Sequence, residues 1–309
     1  MTKKVSAFSH NRKRRVRGLT LIELLVAMVL MGLITVATVS MYSMISSSSK
    51  TVDASQELND NARFIFEVIG QALRIAGYQE YLRKGEDAVA LGGNVYPAVC
   101  TAGHCPIIGF NNASMPTGSV LNNFGTQDTG GATINFSDIL VTTFSGSSVP
   151  SDPLTSDGTM IDCQGVARAG TQAAPADLGV SLFAVTKSAG EGEFQLSCMN
   201  REHNGSQPLV RGVETFQVMY GVDTDADSIP NRWVSAQDVS NWMQVRALRV
   251  GFVLRGAVGS AQIRATQTLY PLGEAFTNSS TESGMVFVAP ADGRLRRAFA
   301  TTFMIRNSF

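Results

Sequence analysis

The sequence predicts an α+β protein, with one long N-terminal helix followed by an antiparallel β-rich region. Three observations lead there. No proline occurs before Pro97, so nothing interrupts a helix over the first part of the chain. Residues 19–45 are almost wholly apolar, and apolar residues then recur at Leu58, Ala62, Ile65, Ile69, Ala72 and Ala76. Those steps of four and three mark one face of a helix. From Val180 onward, short runs rich in β-branched and aromatic residues alternate with turn residues, as antiparallel strands do.

Taken in order, residues 1–18 form a basic leader, 19–45 an apolar helix, 46–82 its amphipathic continuation, and 83–309 a β-rich domain. The apolar run exceeds the roughly 20 residues that a helix needs to cross a bilayer. A helix from Leu19 to about Tyr81 would be roughly 95 Å long at 1.5 Å per residue. A Ser-rich step at Ser46–Ser49 separates its halves, and Gly77-Tyr78 stands near its end. Between about residues 83 and 177 Gly, Asn, Ser, Thr and Pro dominate, which predicts loops with short strands such as Thr133–Thr143. Further strands are expected at Ser181–Lys187, Glu193–Met199, Val213–Tyr220, Val245–Leu254, Arg264–Leu269 and Phe299–Ile305.

The charge balance sorts the partners. The chain has 25 basic and 25 acidic residues, but seven of the basic ones lie in the first 18 residues, with no acid among them. The remainder therefore carries 18 basic against 25 acidic residues, a net charge of −7. Such a body repels phosphate backbones, and direct nucleic-acid binding is not expected. The basic cluster ahead of an apolar span predicts a cytoplasmic N-terminus, with everything after the span outside the cytoplasm. A removable signal peptide would have a shorter apolar core ending in a small-x-small site; here the run continues into a helical pattern. The four cysteines, Cys100, Cys105, Cys163 and Cys198, suit disulfides in an oxidising compartment. Three pairings are open. Cys100–Cys105 with Cys163–Cys198 is favoured, because the last two sit near strand-like runs.

Glu23 is the anomaly of the apolar span, since a carboxylate in a membrane helix is costly and points to function. It stands in the string Arg17-Gly18-Leu19-Thr20-Leu21-Ile22-Glu23-Leu24-Leu25-Val26. This resembles the type IV prepilin signature, a basic leader ending in Gly before an apolar span with Glu at its fifth position. Leu19 stands where the family often has Phe. The resemblance implies a pilin-like fold, cleavage by a prepilin peptidase after Gly18, and methylation of the new amine of Leu19. It also implies that Glu23 offers a negative partner to a neighbouring subunit's amine. A misaligned neighbour would leave a buried charge unpaired, which makes the pair a device for register. In the C-terminal half, Leu209 to Glu214, Val218 to Asp225 and Arg296 to Asn307 resemble minor pilins of the PilW family.

Asp223-x-Asp225-x-Asp227 resembles the opening of a calcium loop, where crowded carboxylates gain from a cation between them. Ser228 stands where such a loop has Gly, Val234 where it has a bidentate Glu, and Asn231 or Asp238 could add oxygens. The alternative is a solvated acidic turn. Cys100-x4-Cys105 beside His104 lacks a completing ligand set for zinc. Trp233 and Trp242 fit core packing better than a binding surface. No nucleotide loop or nucleophile elbow is present, so no enzymatic activity is expected and no cofactor beyond possible Ca²⁺.

The expected protein is thus a minor pilin, anchored by a single pass in the inner membrane with its C-terminal domain in the periplasm. The resemblance implies a role in initiating pilus assembly and a place at or near the tip of a surface pilus. Other minor pilins, the major pilin, the prepilin peptidase and the inner-membrane assembly platform are the implied partners. Adhesion, twitching motility and DNA uptake are the roles such a pilus serves. A minor pseudopilin of type II secretion is the nearest alternative, and a membrane-anchored periplasmic binding protein is the alternative of another class.

Overall fold

A computed structural model describes residues 18–79, 81–84, 87–90, 105–114, 133–170, 178–188, 190, 192–201, 205–261, 264–277 and 283–307. The chain divides between Ser49 and Lys50 into two units. Helix α1 spans Leu21–Ile75 and contributes to both.

In the first unit every large apolar side chain from Leu21 to Ile45 is at least half exposed. Its best 18-residue window has a mean hydropathy of 2.4, long and apolar enough to cross a membrane. The hydroxyls within this stretch turn back on the helix. Thr35 Oγ1 donates to Met31 O at 2.8 Å, Ser40 Oγ to Val36 O at 2.9 Å, and Ser43 Oγ to Val39 O at 3.0 Å. Each polar side chain is thereby satisfied locally, which lets it sit in an apolar surround.

In the second unit the helix buries one stripe. Leu58, Ala62, Ile65, Ile69 and Ala72 of the sequence pattern are all buried, joined by Ala54, Gly70 and Leu73. The helix stops at Ile75, short of Tyr81, because Gly77 adopts φ +73°, the left-handed conformation that closes helices. A Cβ there would lie 2.8 Å from Asn307 O. Asn307 Nδ2 in turn donates to Ala76 O at 3.1 Å and Arg74 O at 3.3 Å, so the end of the chain satisfies carbonyls left over by the helix.

The strands follow in chain order: β1 (Tyr81–Lys84), β2 (Asp87–Ala90), β3 (Ile107–Phe110), β4 (Ile139–Phe144), β5 (Ser148–Val149) and β6 (Asp152–Ser156). Then come β7 (Gly179–Lys187), β8 (Phe194–Met199), β9 (Gln207–Arg211), β10 (Val213–Val222), β11 (Arg232–Val234) and β12 (Val245–Arg255). β13 (Gln267–Leu269), helix α2 (Glu274–Thr277), β14 (Phe287–Ala289) and β15 (Arg296–Met304) complete the chain. Among the described residues every strand pairing is antiparallel. The single expected sheet is in fact two main ones: five strands in the order β3-β4-β7-β8-β9, and four in the order β11-β10-β12-β15. Three two-stranded ribbons, β1-β2, β5-β6 and β13-β14, accompany them.

Two differences from the sequence expectation have local causes. The strand expected at Thr133–Thr143 begins only at Ile139, because Asn135 and Phe136 turn at φ +49° and +55°. β9 has no apolar alternation to announce it, and its Pro208 reads as a breaker. One core joins the helix stripe to both sheets, including Phe216, Tyr220 and Phe252 of one and Leu140, Phe183 and Leu196 of the other. Phe66 of α1 packs on Phe252 at 5.0 Å between ring centroids, and Phe252 on Phe299 at 5.9 Å.

Candidate functional site

The N-terminal site is built from Gly18 to Glu23. Residues 18–20 are exposed and outside the helix, so the Gly18–Leu19 peptide bond lies in open backbone just ahead of the first turn. A Cβ at Gly18 would meet nothing within 4 Å. Thr20 then caps the helix reciprocally with Glu23. Glu23 N donates to Thr20 Oγ1 at 3.3 Å, while Glu23 Oε2 accepts from Thr20 N at 2.9 Å and from Thr20 Oγ1 at 3.0 Å. This is a capping box: the Thr and the Glu three residues on each satisfy a backbone donor of the other. Among the described residues nothing donates to Glu23 Oε1, which leaves that oxygen with its acceptor capacity unused. The basic residues 1–17 ahead of this site lie outside the described residues.

Asp223, Asp225 and Asp227 do converge, with one carboxylate oxygen of each within 4.8 Å of the others. They are not equivalent. Asp223 is buried at the end of β10, whereas the other two are exposed. Its Oδ1 accepts from Ala226 N at 2.7 Å, and its Oδ2 from Ser228 N at 2.9 Å and Arg246 Nε at 3.3 Å. Burial works against ionisation there, yet the donors Ser228, Ala226 and Arg246 together hold the carboxyl below the usual range. Ala226 and Ser228 reach these bonds at φ +63° and +68°. Asn231 Oδ1 is engaged by Thr224, and Asp238 Oδ2 by Ser235. Asp223 is thus already neutralised by Arg246, which supplies the positive charge that a cation would bring. The donor set fits a self-capped loop better than it fits Ca²⁺.

The cysteines serve the β-rich domain. Cys163 and Cys198 form a disulfide, with Cα atoms 6.2 Å apart, that ties the segment after β6 to strand β8. Next to it, buried Asp162 accepts from Gln164 N, Val166 N and Asn200 Nδ2. Cys105 is also disulfide-bonded, while Cys100 and His104 lie outside the described residues. Trp242 sits in the core with its ring edge-on to Tyr220 at 4.9 Å. Trp233 belongs to a smaller cluster with Met219, Leu272, Met285 and Phe276.

The sequence reading missed a charged cluster. Arg296, at the start of β15, clamps buried Glu214 through Nε–Oε2 at 2.6 Å and Nη2–Oε1 at 3.0 Å. The same guanidinium reaches Asp292 through two further bonds of 2.7 Å. Arg255 joins Glu214 at 3.2 Å to Glu193 at 2.7 Å, just ahead of β8 in the other sheet. The Arg296 bonds hold the Asp292 carboxyl well below its ordinary 3.8. One signal was available: Glu214 is an acid at the start of a strand whose every residue is buried. Its partners, 41 and 82 residues later in the chain, are not visible in any local pattern.

Residues 182–307 match the family described as type IV pilus-assembly protein W, and residues 13–39 match the prokaryotic N-terminal methylation motif. A type IV-like pilin from Thermus thermophilus aligns in structure over 81% of this chain and 96% of its own, at 13% identity and a TM-score of 0.37. No curated protein matches the chain.

Proposed function

We propose that this chain, a type IV pilin-like protein with a PilW domain behind a prepilin N-terminus, acts as a minor pilin that helps initiate pilus assembly. The observation that carries the reading is the arrangement at Gly18 to Glu23, an open peptide bond followed at once by a capped helix whose first half is apolar and exposed. Prepilin peptidase cuts after Gly18 and methylates the amine of Leu19. The apolar half of α1 rests in the inner membrane, with the β-rich domain on the periplasmic side, until it moves into a bundle of similar helices. There Glu23 Oε1 receives the amine of a neighbour, while Thr20 keeps the carboxylate aimed. The pair contributes register more than net stability, because desolvation offsets much of its attraction. Other minor pilins, the major pilin and the assembly platform are the partners, and the finished position is at or near the pilus tip. The chain is a structural subunit with no catalytic residues and no cofactor, and an assembly ATPase elsewhere supplies the energy.

The test is the intact mass and N-terminal sequence of protein purified from membranes of cells with active prepilin peptidase. A chain that begins at methylated Leu19 is expected. A chain that retains residues 1–18 would overturn the proposal. Glu23→Ala is expected to be processed normally and to enter filaments at a small fraction of the wild-type level; undiminished incorporation would remove the register role.

A further inference from the structure

Among the described residues the four-stranded sheet ends at β15, and the outer edge of that strand has no pairing. The phase of its ladder with β12 is fixed at both ends: Ile305 N donates to Arg246 O at 2.8 Å, and Gly256 N donates to Leu295 O at 2.8 Å. Odd-numbered residues of β15 therefore bond to β12. The N–H and C=O groups of Ala298, Ala300, Thr302 and Met304 point the other way. Among the described residues none of these backbone groups has a partner. Ala300, Thr302 and Met304 are exposed as well.

The other sheet edges are protected in ways that this one is not. β11 has three residues and β3 four, while β9 has five and carries Pro208. Short edges and edge prolines are the usual defences against unwanted pairing. β15 has nine residues, no proline, no lysine, and a register with β12 unbroken over its whole length. Its inner face is firmly seated, with Phe299 on Phe252 and Phe303 against Phe66 and Gly70. The strand is extended and, among the described residues, unpaired along one side, which is the geometry that accepts an added strand.

Charge identifies the occupant. No acid occurs between Gly293 and the last residue, whereas Arg297 and Arg306 flank the open edge. Both are exposed and neither pairs with an acid among the described residues, while Arg297 Nη1 donates to Asn59 Oδ1 at 2.9 Å. A second copy pairing antiparallel on the same edge would bring these arginines together, and like charges in that arrangement repel. We infer that β15 receives a strand from a different protein, an extended segment with small or β-branched central residues and acidic flanks. The inference rests on the sheet edge alone and does not depend on processing at Gly18.

Residue-resolved amide exchange on the full-length chain in detergent micelles tests it. The probe is the synthetic peptide Asp-Thr-Val-Thr-Ala-Thr-Val-Thr-Asp, with versions carrying Lys at both ends or Pro in the centre. The Asp-flanked peptide at millimolar concentration is expected to slow exchange about tenfold or more at Ala298, Ala300, Thr302 and Met304. The intervening amides, already in the ladder, are expected not to change. The Lys-flanked and Pro-centred peptides are expected to protect at least several-fold less. Ala300→Pro deletes an outward N–H without touching a ladder bond and is expected to abolish the effect. Absence of the alternating protection would overturn the inference, as would equal protection by the Lys-flanked peptide. Alternating protection that rises with the chain's own concentration, without peptide, would give the edge to a second copy and overturn it equally. The wild-type chain with the three peptides decides the matter even where Ala300→Pro fails to fold.

Discussion

The two halves of α1 obey different rules although no break separates them. From Leu21 to Ile45 the helix is apolar all round, and none of its large side chains is less than half exposed. From Ala54 to Leu73 one apolar stripe is buried, and Phe64 is the large apolar side chain left exposed. Nothing in local helix propensity distinguishes the halves. What differs is where the apolar surface is covered: within this chain for the second half, and not by this chain's described residues for the first. Substitutions in 50–307 should therefore change the stability of the isolated chain, and substitutions in 18–49 should change only what the chain joins.

The largest effect is expected where the packed unit holds its charges. Arg296→Ala strips buried Glu214 of its bidentate partner and releases Asp292. Breaking a buried pair from one side costs up to about 3–5 kcal/mol, of which Arg255, still 3.2 Å from Glu214, offsets a part. Chemical denaturation of the variant in micelles should show a loss of that size. A loss below about 1 kcal/mol would mean that water reaches Glu214.

The cleanest contrast between the halves is a matched pair of truncations. Ile65 is 0% exposed and Leu30 is 55% exposed on the same helix. Ile65→Ala should cost about 2–5 kcal/mol in denaturation, the transfer and cavity cost of a core position. Leu30→Ala should leave denaturation within about 0.5 kcal/mol of wild type. A large effect of Leu30→Ala in the isolated chain would erase the division between the halves.

Much of this was legible in the sequence, and the illegible parts share one cause. The leader, the apolar span, the stripe from Leu58 to Ala76 and most strands of the second half follow from short-range periodicity. Thr20 and Glu23 stand three apart, so the capping box was present in the string, although only Glu23 drew notice. The split into two sheets was not legible, because β10 is buried on both faces and shows no alternation to reveal what lies on either side. Nor was the Glu214–Arg296 clamp, whose partners are brought together only by the β10-β12-β15 pairing. The open edge of β15 depends on sheet order, a property of the assembled sheet that no strand carries alone.

Acid should sharpen the comparison further. The Asp292 carboxyl is held below its ordinary 3.8 chiefly by the Arg296 bonds. A depressed folded value contributes stability that is complete above about pH 4 and is lost as pH falls through the folded value. The melting temperature of the second unit should therefore drop on acidification from about pH 4 towards pH 2. Asp292→Asn should start lower at neutral pH and show a shallower drop. Equal acid slopes for the two chains would show that the clamp does not titrate in this range.

The smallest effect tests whether every buried contact in the packed unit is favourable. The Tyr220 ring is fully buried against Trp242, but its hydroxyl has no hydrogen-bond partner among the described residues. It lies against Gly109, where even a Cβ would come within 1.8 Å of that oxygen. Burying a hydroxyl without a partner costs about 1–3 kcal/mol, while the ring's packing is kept when the oxygen is removed. Tyr220→Phe should consequently leave stability unchanged or raise it by up to about 1 kcal/mol, offset in part by the small void left behind. Tyr220→Ala, which discards the ring as well, should cost about 3–5 kcal/mol, as for other large aromatics. A clear loss in Tyr220→Phe would mean that an ordered water satisfies the hydroxyl, and the unit would then owe part of its stability to solvent held inside it.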